Sequence, residues 1–170
     1  MALFFGNFNG IFEEKVHVMK TDEFDLKLLR LLQHNNRLTA DELAATVGLS
    51  ASAVQRRLKR LRDEKIIEAD ISIISPQVAG IGLTCVVDII LERGNTTSLE
   101  KFKRSLVDRP EVMQCYYVTG TYDFVLIVNT TDMAAYEHFT KTCLMDNPNV
   151  KHFYTHAVMD RVKMGYGVAI

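Results

Sequence analysis

Thr39-Ala40-Asp41-Glu42-Leu43-Ala44-Ala45-Thr46-Val47-Gly48-Leu49-Ser50-Ala51-Ser52-Ala53-Val54-Gln55-Arg56-Arg57-Leu58-Lys59-Arg60-Leu61-Arg62 reads as two short helices around a glycine bend. Thr39 and Glu42 have the spacing of a capping box, in which each side chain satisfies the other residue's backbone amide. Leu43 and Ala44 face inward, and Ala44 is small enough for the next helix to pack close. Gly48 falls where a left-handed backbone is cheap only for glycine. Ser50 caps the second helix. Val54, Leu58 and Leu61 recur at helical spacing and form its buried stripe. A small residue, a glycine four later and a β-branched residue six after that give helix-turn-helix spacing. The second helix of that motif enters the DNA major groove.

The rest of the chain is compatible with that partner. The 170 residues allow one large domain or two small ones. Hydrophobic residues at 48% and charged residues at 24% describe a folded globular chain. No stretch approaches the roughly 18 uncharged apolar residues that span a bilayer, so no membrane partner is expected. The net charge of −1 is uninformative alone. Its distribution is not: residues 50–62 carry Arg56, Arg57, Lys59, Arg60 and Arg62 and no acid. DNA affinity follows local cationic surface. Cys85, Cys115 and Cys143 are isolated, with no CxxC pair. They read as small core residues in a reducing cytoplasm, the expected location.

Working outward, residues 1–20 match no cap, apolar stripe or targeting signal. Their Phe- and Gly-rich start lacks the basic residues of a secretory signal. They read as an N-terminal extension, an arm or a start assigned ahead of Met19, the second being preferred. A first helix is predicted from about Asp22 to His34. Phe24, Leu28, Leu31 and Leu32 form its stripe, and Asp22, Glu23 and Asp25 sit at its positive end. Residues 21–66 thus make a three-helix DNA-binding domain. Lys65 to Ser75, with Ile67, Ile71 and Ile73, reads as extended. Ser75-Pro76, Gly80 and Gly82 interrupt it, and residues 67–82 are assigned as a linker.

From Leu83 the apolar period changes to two. Strands are predicted over 83–91, 112–119, 122–129 and 150–159, with helices over 98–108 and after Asp132. A tight turn at Gly120-Thr121 joins the middle pair. The order β-α-β-β-α-β over residues 83–170 is the ferredoxin-like split motif, and the chain is α+β overall. Leu83, Cys85, Val87, Ile89 and Leu91 fall on one sheet face, with Val86 and Ile90 on the other. Phe124, Leu126 and Val128 oppose Val125 and Ile127. Two helices cover one face only, and the second is too apolar for water. A homodimer that buries it is the simplest solution and supplies two recognition helices.

At about 100° per residue, the Val54-Leu58-Leu61 stripe sets the opposite face of the reading helix. Ser52, Arg56 and Lys59 point most directly away, flanked by Gln55 and Arg60. Gln55 suits adenine and Arg56 guanine in bidentate contacts. Lys59 and Arg60 lie where phosphate is expected. Arg57 leans toward the core edge, where an internal ion pair competes with DNA. In the second domain, Gly120 lets a ligand approach the backbone, and Asp123 suits an α-ammonium group. A plain hairpin in which Asp123 accepts backbone amides fits those residues equally well. No catalytic constellation is found. His152 and His156 share a strand face but stand roughly 13 Å apart, too far for one metal. Neither an enzyme, a metal site nor a cofactor is expected.

Several ordered motifs resemble the Lrp/AsnC, or feast/famine, family of transcriptional regulators over about residues 19–163. They are Asp22-x-x-Asp25-x-x-Leu28-Leu29, Arg37-Leu38, Leu43-Ala44, Val47-Gly48-Leu49-Ser50 and Arg56-Arg57-Leu58-Lys59-Arg60-Leu61. Val118-Thr119-Gly120-x-Tyr122-Asp123-Phe124 is similar to the family's ligand-loop signature. The resemblance implies a regulator contacting double-stranded DNA through Ser50, Ser52, Gln55, Arg56, Arg57, Lys59 and Arg60. It implies a dimer built through the sheet domain, often assembling into octamers. It also implies a free amino acid held between dimers near Thr119, Gly120, Thr121, Tyr122 and Asp123. The alternative is an architectural DNA-wrapping protein without an effector. Two departures stand out: Ala51 replaces the family's frequent proline, and Lys65 replaces the glycine before the hinge, predicting a less sharp helix end.

Overall fold

The computed structural model describes residues 21–92 and 94–170; the expectations for residues 1–20 lie outside it. The chain divides into two compact units. One holds the described residues up to Ile73 together with Met164–Ile170, and the other is Ile74–Lys163.

The first unit is built from α1 (Glu23–His34), α2 (Ala40–Val47) and α3 (Ala51–Asp63). Asp22 and Asp25 form a capping box on α1, and Thr39 and Glu42 form one on α2. Gly48 ends α2 in the left-handed region at φ 76°. Leu28, Leu43, Val54 and Leu61 are fully buried between the helices, each contributing about 1.5–3 kcal/mol of apolar burial.

The end of α3 differs from expectation. Lys65 itself takes the left-handed conformation, at φ 57°. The Ile66 amide donates to Leu61 O at 2.9 Å and the Lys65 amide to Arg62 O at 3.1 Å. These two bonds form a Schellman motif, and Ile66 packs on the helical core. The helix therefore stops as sharply with lysine as it would with glycine, at the cost of backbone strain.

The linker also differs. Residues 68–75 form no strand, and Ile71 and Ile73 are exposed. An alternating apolar pattern buries nothing without a neighbouring strand to pair with. The tail Met164–Ile170, expected with the sheet, groups with the helices instead. Arg30 Nε donates to Ile170 O at 2.7 Å, and the Val168 amide donates to Gln33 Oε1.

The second unit is β1 (Leu83–Leu91), α4 (Thr96–Val107), β2 (Val112–Tyr117), β3 (Phe124–Thr130), α5 (Met133–Thr140) and β4 (Val150–Ala157). A π-helical turn, Lys141–Met145, follows α5. The strand order β2-β3-β1-β4, with every neighbour antiparallel, is ferredoxin-like. Cys85, Val87, Ile89, Phe124, Leu126 and Val128 pack under Phe102 and Leu106 of α4 and Tyr136 and Phe139 of α5. Cys143 and Leu144 join that core from the wider π turn. The register puts Val86, Asp88, Ile90, Val125, Ile127, Tyr116, His152, Tyr154 and His156 on the other face. No element of this unit's helical layer reaches that face, and Tyr116 and Tyr154 are about half exposed there, at 51% and 49%.

Candidate nucleic-acid interface and effector turn

The outer side of α3 is set by its own packing. Ser50 Oγ accepts the Ala53 amide at 3.2 Å, fixing the helix start, and lies 3.2 Å from Ser52 Oγ. With Val54, Leu58 and Leu61 buried, Ser52, Gln55, Arg56 and Lys59 are left exposed. Arg56 pairs with no carboxylate among the described residues.

The other cations of the helix are engaged. Arg57 Nη1 donates to Asp22 Oδ2 at 2.7 Å and to Asp25 Oδ1 at 2.8 Å. Its guanidinium also lies 5.5 Å from the centre of the Phe24 ring. Arg60 reaches the second oxygen of Asp25, and Glu64 at 3.5 Å. Lys59 meets Asp63, one helical turn on, and Arg62 meets Asp70. The basic run of the sequence is therefore largely answered by acids from α1, from the helix end and from the linker. Sequence reading placed Asp22 and Asp25 at the helix dipole. It anticipated an internal ion pair at Arg57 but named no acid for it and none for Arg60, because the partners lie 32 to 35 residues away, beyond any local spacing rule.

Asp25 is the centre of the cluster, with 1% of its surface exposed. Burial alone would raise its carboxyl. The Asp22 amide, Arg57 and Arg60 outweigh that and hold it below the ordinary carboxylate range. Arg57 is correspondingly raised, first by Asp25 and then by Asp22. Removing one member of a buried pair costs about 3–5 kcal/mol, because the remaining charge is stranded. Lys59 and Asp63 are both exposed, so their pair contributes at most about 1 kcal/mol and is free to exchange.

The β2–β3 connection is longer than the two-residue turn expected. The strands end at Tyr117 and resume at Phe124. Asp123 is the reason. Its amide donates to Ile89 O at 2.8 Å and its carbonyl accepts the Val118 amide at 2.9 Å. Its Oδ2 accepts the Leu91 amide at 2.7 Å, so the backbone-capping alternative describes at least one carboxylate oxygen. Gly120 sits at φ 123° with nothing within 4 Å of an added Cβ. Its glycine is required by backbone conformation first and by open approach second. Thr119, Gly120 and Thr121 are exposed, and Tyr122 stacks edge-on to Tyr154 at 5.8 Å. Among the described residues, the amides of Gly120, Thr121 and Tyr122 make no backbone hydrogen bond. The turn thus offers unengaged amides beside a carboxylate. A cavity of about 290 Å³ lies elsewhere, lined by Leu144, Met145 and residues 150–153. Among the described residues no three acids, histidines or cysteines gather as a metal site, and no helix is long and apolar enough to cross a membrane.

Comparison with known proteins agrees with both halves of this geometry. Residues 22–62 match the AsnC-type helix-turn-helix domain and residues 84–168 the Lrp/AsnC ligand binding domain. The chain is 49% identical over 154 residues to an uncharacterised HTH-type transcriptional regulator, y4tD, of Sinorhizobium fredii, covering 91% of each. It is 31% identical over 150 residues to the leucine-responsive regulatory protein of Haemophilus influenzae, covering 88% of this chain and 90% of that one. A transcriptional regulator of Neisseria meningitidis, solved as an L-Met complex, superposes with a TM-score of 0.83 at 32% identity, over 88% of this chain and 97% of that one. These relatives are regulators, not enzymes. The chain belongs to the Lrp/AsnC family: it is a transcriptional regulator that joins a helix-turn-helix DNA-binding domain to a ligand-binding domain of ferredoxin-like fold.

Proposed function

We propose that the protein is a gene-selective regulator whose DNA occupancy is set by a free amino acid. The observation that carries the DNA half is the exposed Arg56, which meets no carboxylate among the described residues and shares with Ser52 and Gln55 the side of α3 opposite its core. Arg56 and Gln55 meet base edges in this reading, Ser50 and Ser52 approach the backbone at the helix start, and Lys59 exchanges Asp63 for phosphate. The pairing of Arg57, Arg60 and Arg62 with acids argues against the architectural alternative. Wrapping DNA without regard to sequence needs many cations free for phosphate.

The effector half rests on the Thr119–Asp123 turn. A free amino acid is a zwitterion and needs an anion site and a cation site a few ångströms apart. Unengaged turn amides and the Asp123 carboxylate supply that pair. The L-Met complex and the leucine-responsive relative support the ligand class. The open sheet face, with Val86, Ile90, Val125 and Ile127 beside exposed tyrosines, is covered by a second copy in this reading. Dimers gather further, up to octamers, so that the effector lies between them. It then shifts occupancy by its differential affinity for two assemblies.

A thermal-shift panel of free amino acids tests the effector, and DNA retention across a salt titration tests the helix. Arg56→Ala is expected to cost about 1–3 kcal/mol on a selected operator and to relax specificity at one base step. Lys59→Ala is expected to weaken binding to all duplexes and flatten the salt dependence. Parent-like behaviour of both variants would remove α3 as the reader. No shift with any amino acid would remove the effector.

A further inference from the structure

We propose that Asp25 sets the sequence-independent affinity of the DNA surface: it holds Arg57 and Arg60 so that neither grips phosphate, which lowers binding to every duplex and leaves the base-reading face of α3 as the main contact. The inference rests on the reading of α3 as the recognition helix.

The geometry supplies the reason. The two Asp25 oxygens are divided between the two arginines, Oδ1 to Arg57 and Oδ2 to Arg60. The carboxylate is buried and the arginines are only partly exposed, their side chains at 24% and 35%. Arg57 is tied a second time by Asp22 and lies over Phe24. A DNA phosphate would have to draw either arginine off a carboxylate that water does not reach. The vacated carboxylate would then stand buried beside one remaining partner. An exposed phosphate contact, screened by salt, offers less than that loss. The arginines therefore stay with Asp25 when DNA arrives.

The consequence is a lower background of binding to DNA of any sequence. Each phosphate contact strengthens binding to every sequence alike and carries no base information. A helix presenting Arg56, Arg57, Lys59 and Arg60 together would bind every duplex more strongly, random sequence included, and so be held at more sites that are not its operator. Acidic partners drawn from α1 remove two of the four from that background. Asp25 acts through the arginines, so it is a positioning residue and touches no DNA itself.

The test uses the full chain, an operator selected by it from random duplexes, and a random-sequence duplex. Asp25→Asn keeps the side-chain oxygen that accepts the Asp22 amide but removes the buried charge that holds both arginines, leaving them only their exposed partners Asp22 and Glu64 to exchange for phosphate. It should steepen the log–log salt dependence on both duplexes by roughly one to two units, at about 0.9 per phosphate gained. Its affinity for both duplexes should rise together, most at low salt, with the operator-to-random ratio staying near that of the parent. Asp41→Asn, which removes an exposed acid of α2, controls for charge alone and should leave the slope near that of the parent. Arg60→Gln in the parent should also leave the slope unchanged, whereas in the Asp25→Asn background it should recover part of the parental value. A folded Asp25→Asn variant with a parental or flatter slope overturns the proposal. So does a slope flattened by about one unit in Arg60→Gln alone, and that arm decides the matter if Asp25→Asn fails to fold. A parent chain without operator preference would overturn the recognition-helix reading itself, and this proposal with it.

Discussion

Asp123→Asn and Asp123→Ala separate two roles that one carboxylate holds. Its Oδ2 accepts the Leu91 amide at 2.7 Å in a partly buried setting, and the proposed effector places an ammonium on the same group. Alanine removes both functions. It strands the Leu91 amide, at about 1–3 kcal/mol of folding stability. Asparagine keeps a carbonyl oxygen for that amide and loses only the charge assistance, about 1 kcal/mol. Against an ammonium the loss is larger: a charge-assisted bond contributes about 1.5–3 kcal/mol, or roughly 10- to 150-fold in Kd. Asparagine is therefore expected to melt close to the parent and yet bind the amino acid at least tenfold more weakly. Alanine is expected to fail in both measurements. The assay is calorimetric titration with the amino acid giving the largest shift in the panel, with melting temperature measured on the same samples. Asparagine binding within about twofold of the parent, some 0.4 kcal/mol, would show that the carboxylate serves Leu91 alone and that the ammonium site lies elsewhere.

Two backbone variants of the helical unit have opposite expected signs. Gly48 is left-handed with nothing within 4 Å of an added Cβ, so Gly48→Ala should lower stability by about 1 kcal/mol through backbone strain alone. Lys65→Gly should raise it by about 0.5–1 kcal/mol, the relief of left-handed strain less the added freedom of the unfolded chain; a lowered urea midpoint would contradict the conformation at Lys65. Val86→Asp puts a second carboxylate two residues from Asp88 on the open sheet face, and it should weaken the proposed dimer by about 3 kcal/mol or more, read by sedimentation as dissociation at micromolar concentration. For pH, the folded carboxyls of Asp22 and Asp25 lie below their ordinary values, so the unfolded chain takes up protons first as pH falls. Their contribution is fully present above about pH 4 and is lost as pH drops through the folded values. Urea midpoints from pH 5 to 2 should show this loss, and Asp25→Asn should reduce its slope.

Local rules made much of this molecule legible and long-range pairing hid the rest. Thr39 with Glu42, Gly48 and Ser50 each obey a rule spanning four residues or fewer, and each is found doing what that rule requires. The two sheet faces followed from parity, because a strand turns every second side chain the same way. Cys143 was legible as an inner residue, but the π turn that carries it there was not, since i to i+4 spacing from Phe139 looks the same in an ordinary helix. Lys65 was misjudged because an absent glycine says nothing about whether the backbone will still turn left-handed. The burial of Ile66 beside Leu61 makes the strain tolerable. The β2–β3 turn was drawn too short because the bonds that shape it join Asp123 to Ile89 and Leu91, over thirty residues earlier. The same limit governs the DNA surface. Five cations in residues 50–62 look like one basic face when only the helix is read. Tertiary structure delivers Asp22, Asp25 and Asp70 to that helix from outside it, and so converts a run of charge into one exposed arginine, one exchangeable lysine and a fixed ionic scaffold.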